Sequence, residues 1–224
     1  MSDTPLLEIC IDSVASAIAA EQGGAARVEL CQNLFEGGTT PSIGTVYHAL
    51  QQVGIKVNVI IRPRGGDFLY SDDEFAVMKN DIVALKEAGI NGVVIGMLNA
   101  DGTIDTERTR QLIELARPLE VTFHRAYDVT ADPFRSLDEL IQLDVDRLLT
   151  SGHEPSVLEG VELIAELVRR AGEDIMIMPG AGITPKNLPR IIRETGAREY
   201  HVTGSSSVDS KMEFRNDRCF MGKA

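Results

Sequence analysis

The chain has 224 residues, 43% of them hydrophobic, and a formal net charge of −12. That charge would repel a phosphate backbone, and no basic stripe offsets it, so nucleic acid is excluded as a partner. No apolar run approaches the roughly 20 residues of a membrane span, the first residues lack the layout of a signal peptide, and three cysteines are too few for a disulfide framework. We therefore predict a cytoplasmic protein with no membrane partner.

Short apolar segments alternate with segments of helical periodicity along the chain. Eight segments have the composition of strands, in the order LLEICI, RVELC, VNVIIRP, GVVIGM, VTFHR, RLLTSG, IMIMPGA and EYHVTG. All but the last are followed by a helical stretch, which predicts a parallel α/β sheet. A repeated helix-turn-strand unit favours closure of that sheet, so we predict a single (β/α)₈ TIM-barrel domain over residues 1–224.

The loops separate this prediction from its main rival. Segments that follow strands, such as CQNLFEGGTTPS and RPRGGDFLYSDD, are long and rich in Gly, Pro and charge. In a barrel these loops build the site. A doubly wound open sheet would use the same element order, but the first strand-to-helix turn lacks the G-x-G-x-x-G fingerprint.

The end of the chain is short. After the eighth strand only VDSKMEFRNDRCFMGKA remains, with little helical periodicity, so we expect the eighth helix to be short or missing. The apolar flank beside the first and last strands would then face water, and we predict that a homodimer buries it.

The first two strands carry the same short pattern, Glu-x-Cys. Residues two apart on a strand share a face. If the aliphatic residues face the helices, Glu8 and Cys10 turn inward from the first strand, and Glu29 and Cys31 turn inward from the second. We expect the two pairs at the same height. The glutamates are candidate acid/base residues, or else salt-bridge partners that hold the barrel mouth together.

Two arginines follow the third strand. The same alternation points Arg62 and Arg64 into the barrel mouth, where two guanidinium groups suit bidentate binding of a carboxylate or phosphate. The alternative is that they are structural ion-pair partners only, Arg62 of Glu8 and Arg64 of Glu29.

Later strands supply further polar candidates. His124 ends the fifth strand on its inner face, where a histidine beside carboxylates can carry protons, and Asp128 follows in the loop. Ser151 ends the sixth strand and His201 lies on the eighth, as candidate ligand contacts. A structural hydrogen-bonding role is the alternative for each histidine.

The last strands end in glycine-rich segments. Loops after strands seven and eight of many barrels bind phosphate through backbone N–H groups. Here the candidates are Gly180, Gly182, Gly204, Ser205 and Ser206. Plain turn geometry is the alternative use of these glycines.

Cys10 and Cys31 lie on neighbouring strands, which are about 4.8 Å apart. Their thiols could share a soft metal ion, Cu(I) or Zn²⁺, or remain unligated as small buried side chains. No C-x-x-C or H-x-x-x-H spacing adds to the case for a metal.

Several of these segments resemble the copper homeostasis protein CutC family, namely LLEICIDS, RVELCQNLFEGGTTPS, IIRPRGGDFLYSDDEF, VTFHRAYD, LLTSG and PGAGIT. The match covers nearly the whole chain, and RPRGGDF with FHRAYD is its most distinctive part. The resemblance implies a cytoplasmic (β/α)₈ barrel, often dimeric, linked to copper tolerance. Cys10 and Cys31 match the cysteines that the family's proposed Cu(I) binding would use. Many relatives continue beyond the position of Ala224.

Three functions follow from these patterns. The first, implied mainly by the resemblance, is a copper-handling protein that binds Cu(I) through Cys10 and Cys31. The second is an enzyme acting on a small anionic or phosphorylated metabolite, in which the arginines and glycine-rich loops hold the anion and His124 moves protons with Glu8 or Glu29. The third is a non-catalytic sensor of the same anion.

Overall fold

Eight parallel strands form the sheet of this chain. The computed structural model describes residues 5–206, 208–216 and 218–219. The strands are β1 Leu6–Ile11, β2 Arg27–Leu30, β3 Lys56–Ile60, β4 Gly92–Ile95, β5 Glu120–Phe123, β6 Arg147–Thr150, β7 Met176–Pro179 and β8 Glu199–Val202. Their order follows the chain from β1 to β7, and β8 pairs with β1. A further bridge between Gly180 and His201 brings the ends of β7 and β8 together, so the predicted barrel is confirmed.

A helix separates each pair of consecutive strands. The helices are α1 Val14–Gln22, α2 Ile43–Gln52, α3 Asp72–Ala88, α4 Thr106–Ala116, α5 Pro133–Gln142, α6 Val161–Ala171 and α7 Leu188–Thr195. Serine side chains cap the first three, and Ser71 with Glu74 forms a complete capping box at α3. The part of the chain described after β8 contains no helix, as predicted. Within the described residues, every helix is too short or too polar to cross a membrane.

The barrel interior is polar at its N-terminal end. Arg27 donates hydrogen bonds to the carboxylates of Glu8 and, at 2.6 Å, Glu199, and Arg147 donates to Glu199 at 2.5 Å. Arg27 and Glu8 are buried. Buried charges are costly unless they are paired, so this network closes the floor of the barrel and leaves the other end to form a site.

One side of the barrel is uncovered. Leu7 and Ile9 on the outer face of β1 are only half-buried, whereas Val28 and Leu30, which face outward from β2, are fully buried. A cavity of about 890 Å³ lies outside β1. We call it the open flank; it is lined mainly by β1, α1, the loop after β2 and the segment after β8, including Leu7, Ile9, Cys10, Ala15, Ala19, Leu34, Phe35, Gly204, Ser205 and Val208.

Candidate functional site

The register of β1 and β2 differs from the prediction. Cys10 lies opposite Glu29, and Glu8 lies opposite Arg27. The expectation that the two Glu-x-Cys pairs share one height was therefore wrong. A closed barrel requires each strand to slide along its neighbour, so residues at equal positions in two strands are not level.

The offset brings two thiols together near the C-terminal end of the barrel. The Sγ atoms of Cys10 and Cys31 are 3.8 Å apart. Cys31 is buried against Ile60 and Val94, whereas Cys10 is half-buried and lines the open flank. A carboxylate oxygen of Glu29 lies within 4.8 Å of both sulfur atoms. Cys10, Cys31 and Glu29 thus form a compact donor set that is reachable from one side.

His201 joins this cluster through Glu29. Its Nε2 lies 2.6 Å from Oε2 of the Glu29 carboxylate, and both side chains are buried. Burial alone would lower the pKa of His201, but hydrogen bonds to Cys10 and Glu29 hold that pKa well above its usual value. Burial would likewise raise the pKa of Glu29, and His201 holds it below its usual value. The pair is therefore an imidazolium and a carboxylate.

The two thiols are not equivalent. The hydrogen bond with Cys31 lowers the pKa of Cys10 despite burial, and His201 lowers it further. The hydrogen bond with Cys10 and burial both raise the pKa of Cys31. Cys10 is therefore the more acidic thiol of the pair and the one that gives up its proton more readily to bind a metal.

Glu8 lies deeper in the barrel than the thiols. Its partners are Arg27 and the Asn58 side-chain amide, which donates at 3.3 Å. The alternative prediction that Glu8 pairs with Arg62 was wrong, and so was the pairing of Glu29 with Arg64. Both glutamates have closer basic partners inside the barrel, Arg27 and His201.

The two arginines after β3 take different positions. Arg62 is buried, and its guanidinium donates to the carbonyl oxygens of Glu36, Gly38 and Gly66 at 2.6, 2.8 and 2.8 Å.

The prediction that Arg64 points into the barrel mouth was wrong. Arg64 folds back on its own loop, donating to Glu74 at 2.5 Å and Asp67 at 3.0 Å. The strand ends at Ile60, so the two-residue alternation no longer fixes the direction of a side chain at position 64.

His124 lies on the inner face at the end of β5. Its Nδ1 accepts a hydrogen bond from the Ala126 N–H at 3.1 Å. Burial first, and then the charge of Arg62, lower the pKa of His124 to about 4. A Cβ atom at Gly96 would lie 2.3 Å from the imidazole, so glycine is required there. His124 is therefore neutral at physiological pH, and its predicted proton transfer remains untested.

Asp128 and Ser151 bond to each other. The Ser151 hydroxyl donates to Asp128 at 2.9 Å, and Thr150 donates at 2.5 Å. Arg125 donates to Asp128 at 2.8 Å and to Ser151 Oγ at 2.7 Å. These contacts fix the loops after β5 and β6, and the predicted ligand contacts of both residues remain predictions.

The glycine-rich segments after β7 and β8 have different surroundings. A Cβ atom at Gly180 would approach Leu149 within 2.5 Å, and Gly182 has a φ of +72°, so packing and backbone geometry require these two glycines. Gly204 and Ser205 are exposed on the open flank. A shared phosphate site for these residues remains a prediction.

A sequence profile of the CutC family matches residues 5–206. This chain belongs to the CutC family. A mouse relative named copper homeostasis protein cutC homolog is 54% identical over 97% of this chain and 80% of its own length, and the human homolog is 52% identical over the same shares.

Solved structures agree with the family assignment. The structure of a copper homeostasis protein CutC from Streptococcus agalactiae has a TM-score of 0.85 and 38% identity, covering 88% of this chain and 98% of that one. A phosphonomutase from Burkholderia cenocepacia, at 15% identity and a TM-score of 0.62 over 88% of this chain and 86% of its own, shares the fold alone.

Sequence reasoning missed two residues that shape the site of this CutC-family chain. Arg27 holds Glu8, and Gly96 makes room for His124. Arg27 precedes Glu29 by two residues, so the strand alternation would have placed it inside the barrel. Gly96 is the fifth residue of the GVVIGM segment, but the need for glycine there depends on His124, which follows the neighbouring strand β5.

Proposed function

We propose that this CutC-family chain takes part in copper homeostasis by binding Cu(I) between Cys10 and Cys31. The observation that carries the proposal is the distance of 3.8 Å between the two sulfur atoms. That is less than twice a typical metal–sulfur bond of about 2.3 Å, so one ion can contact both. Soft thiolates select Cu(I) over harder divalent ions.

The surroundings of the pair also favour a soft, singly charged ion. The only carboxylate in the donor set among the described residues, Glu29, is bonded to His201 at 2.6 Å. That bond leaves less of its charge for a hard cation. Ile60 and Val94 pack against Cys31 and keep that side of the pair apolar. Cys10 is the half-buried member of the pair and therefore the more accessible ligand for an incoming ion.

Titration of Cu(I) against a competing chelator, under anaerobic reducing conditions, tests the proposal. The double variant Cys10→Ser with Cys31→Ser should lose the tight site, because a hydroxyl is a poor ligand for Cu(I). Cys219→Ser is the matched control, since Cys219 is exposed, and it should bind as the unmodified chain does. A double variant that folds, by circular dichroism, and binds as tightly as the control would refute the proposal.

We further propose that the chain is a cytoplasmic homodimer joined at the open flank. Three cysteines are too few for the disulfide framework of a small secreted domain, which favours the cytoplasm. Leu7 and Ile9 leave apolar surface on the flank, and the fully exposed side chain of Phe35 extends it. Two-fold symmetry places one surface against the same surface of a second copy, so a dimer would cover both flanks at once.

A further inference from the structure

Three buried side-chain donors at the C-terminal end of the barrel have no partner among the described residues. They are Nε of Arg62, the hydroxyl of Tyr70 and Nε2 of His124. Each of these side chains is 5% exposed. Since Nδ1 of His124 accepts a hydrogen bond, Nε2 carries the proton of the neutral ring. A buried donor without an acceptor costs about 1–3 kcal/mol, so three together call for an acceptor.

Two of the three donor side chains contact one aromatic ring, that of Phe68, and Tyr70 follows Phe68 by two residues in the same loop. The guanidinium carbon of Arg62 lies 5.1 Å from the centre of this ring, and the centre of the His124 ring lies 5.0 Å from it. Burial raises the pKa of Tyr70, and the adjacent charge of Arg62 opposes that rise. The Tyr70 hydroxyl thus belongs to the same buried group of unpartnered donors as Nε of Arg62.

The charge of Arg62 selects the kind of ligand. Its three partners are backbone carbonyl oxygens, which carry no formal charge. A guanidinium has five N–H groups, so Nε–H and one N–H of Nη2 remain. An Nε–H together with an Nη2 N–H is one of the pairs through which a guanidinium binds both oxygens of a carboxylate. Two of the nearby acids are paired with other cations, Glu29 with His201 and Asp128 with Arg125.

We propose that Arg62, Tyr70 and His124 form a binding site for a small carboxylate anion beneath Phe68. The anion accepts hydrogen bonds from all three side chains. Phe68 is half-buried and covers the donors, so it moves aside to admit the ligand. It follows Gly65 and Gly66, and Gly66 has a φ of +81°, which gives this loop a backbone bend that other residues rarely adopt. The site shares no residue with Cys10 and Cys31 and does not rest on copper binding.

Titration with sodium acetate at constant ionic strength tests the site, with sodium chloride and sodium phosphate as comparison salts. Acetate should shift the Nε2–H resonance of His124 and raise the melting temperature, since it binds only the folded chain. Tyr70→Phe removes one hydroxyl and should weaken acetate binding about tenfold, the loss expected for one hydrogen bond to a charged group. Tyr47→Phe, at a half-exposed tyrosine of α2, is the matched control and should bind as before.

Two results would overturn the site. One is the absence of any acetate-specific change at His124 up to high millimolar concentrations. The other is equal weakening by Tyr70→Phe and Tyr47→Phe. Binding of phosphate with the same dependence on Tyr70, but not of acetate, would refute the carboxylate class. All measurements use the metal-free chain, so their outcome is independent of the copper titration.

Discussion

His124 makes the stability of the chain depend on pH. Burial and then Arg62 lower its pKa to about 4, whereas an unfolded histidine has a pKa of about 6.5. Between these values the unfolded chain binds a proton that the folded chain does not, so folding becomes less favourable as the pH falls from 6.5 towards 4. We expect His124 to contribute a loss of roughly 3 kcal/mol over this window, from 1.36 kcal/mol for each pKa unit.

The free energy of unfolding in urea, measured at pH 6.5 and pH 4.5, checks this value. His124→Gln should lose less stability between the two pH values than the unmodified chain, because glutamine does not titrate. His48→Gln makes the same change at an exposed histidine and should keep the original dependence. Equal losses in the His124 variant and the unmodified chain would contradict the assignment.

For single residues, the sequence predicted the direction of a side chain within a strand but not its partners. The inward direction of Glu8, Cys10, Cys31 and His124 follows from the period of a strand, which depends on the backbone alone. The partners of Glu8 and Glu29 depend on the slide between strands, which no local pattern encodes. Beyond the last strand residue the period ends, and for this reason Arg64 lies against Glu74 rather than in the barrel mouth.

The offset between β1 and β2 should prevent a disulfide between the paired thiols. Cys10 lies opposite Glu29, so Cys31 is two residues further along its strand, and its N–H continues the ladder to Ile11. A lateral spacing of about 4.8 Å and a rise of about 3.3 Å for each residue place the two Cα atoms roughly 8 Å apart. Cα atoms more than about 7 Å apart cannot be bridged without backbone movement.

Oxidation with diamide followed by mass spectrometry of non-reduced peptides checks this prediction. We expect no peptide linking Cys10 to Cys31 while the chain stays folded, and we expect such a link to form once urea unfolds it. A cross-linked peptide at the same rate with and without urea would show that the backbone does not restrain the pair. The sulfur atoms would then serve a redox couple as readily as a metal.

For the whole molecule, the alternation of strands and helices predicted the barrel because each strand-helix unit must cover its own apolar face. The same reasoning predicted the uncovered side, since the described segment after β8 contains no helix to pack on β1. The size of the open flank could not be predicted, because it depends on how α1 and the loop after β2 pack around it. Whether the open flank is covered depends on whether two copies of the chain associate through it.

Sedimentation velocity at micromolar concentration tests whether a second copy covers it. Ala19→Glu places a charge at an exposed position of α1 on the open flank, and glutamate is a good helix former, so the fold should persist. We expect the unmodified chain to sediment as a dimer and this variant as a monomer, because dimerisation would bury two unpaired carboxylates. Val77→Glu, at a half-exposed position of α3, should leave the dimer intact. A monomeric unmodified chain, or a dimer that Ala19→Glu leaves intact, would mean that a second copy does not cover the open flank.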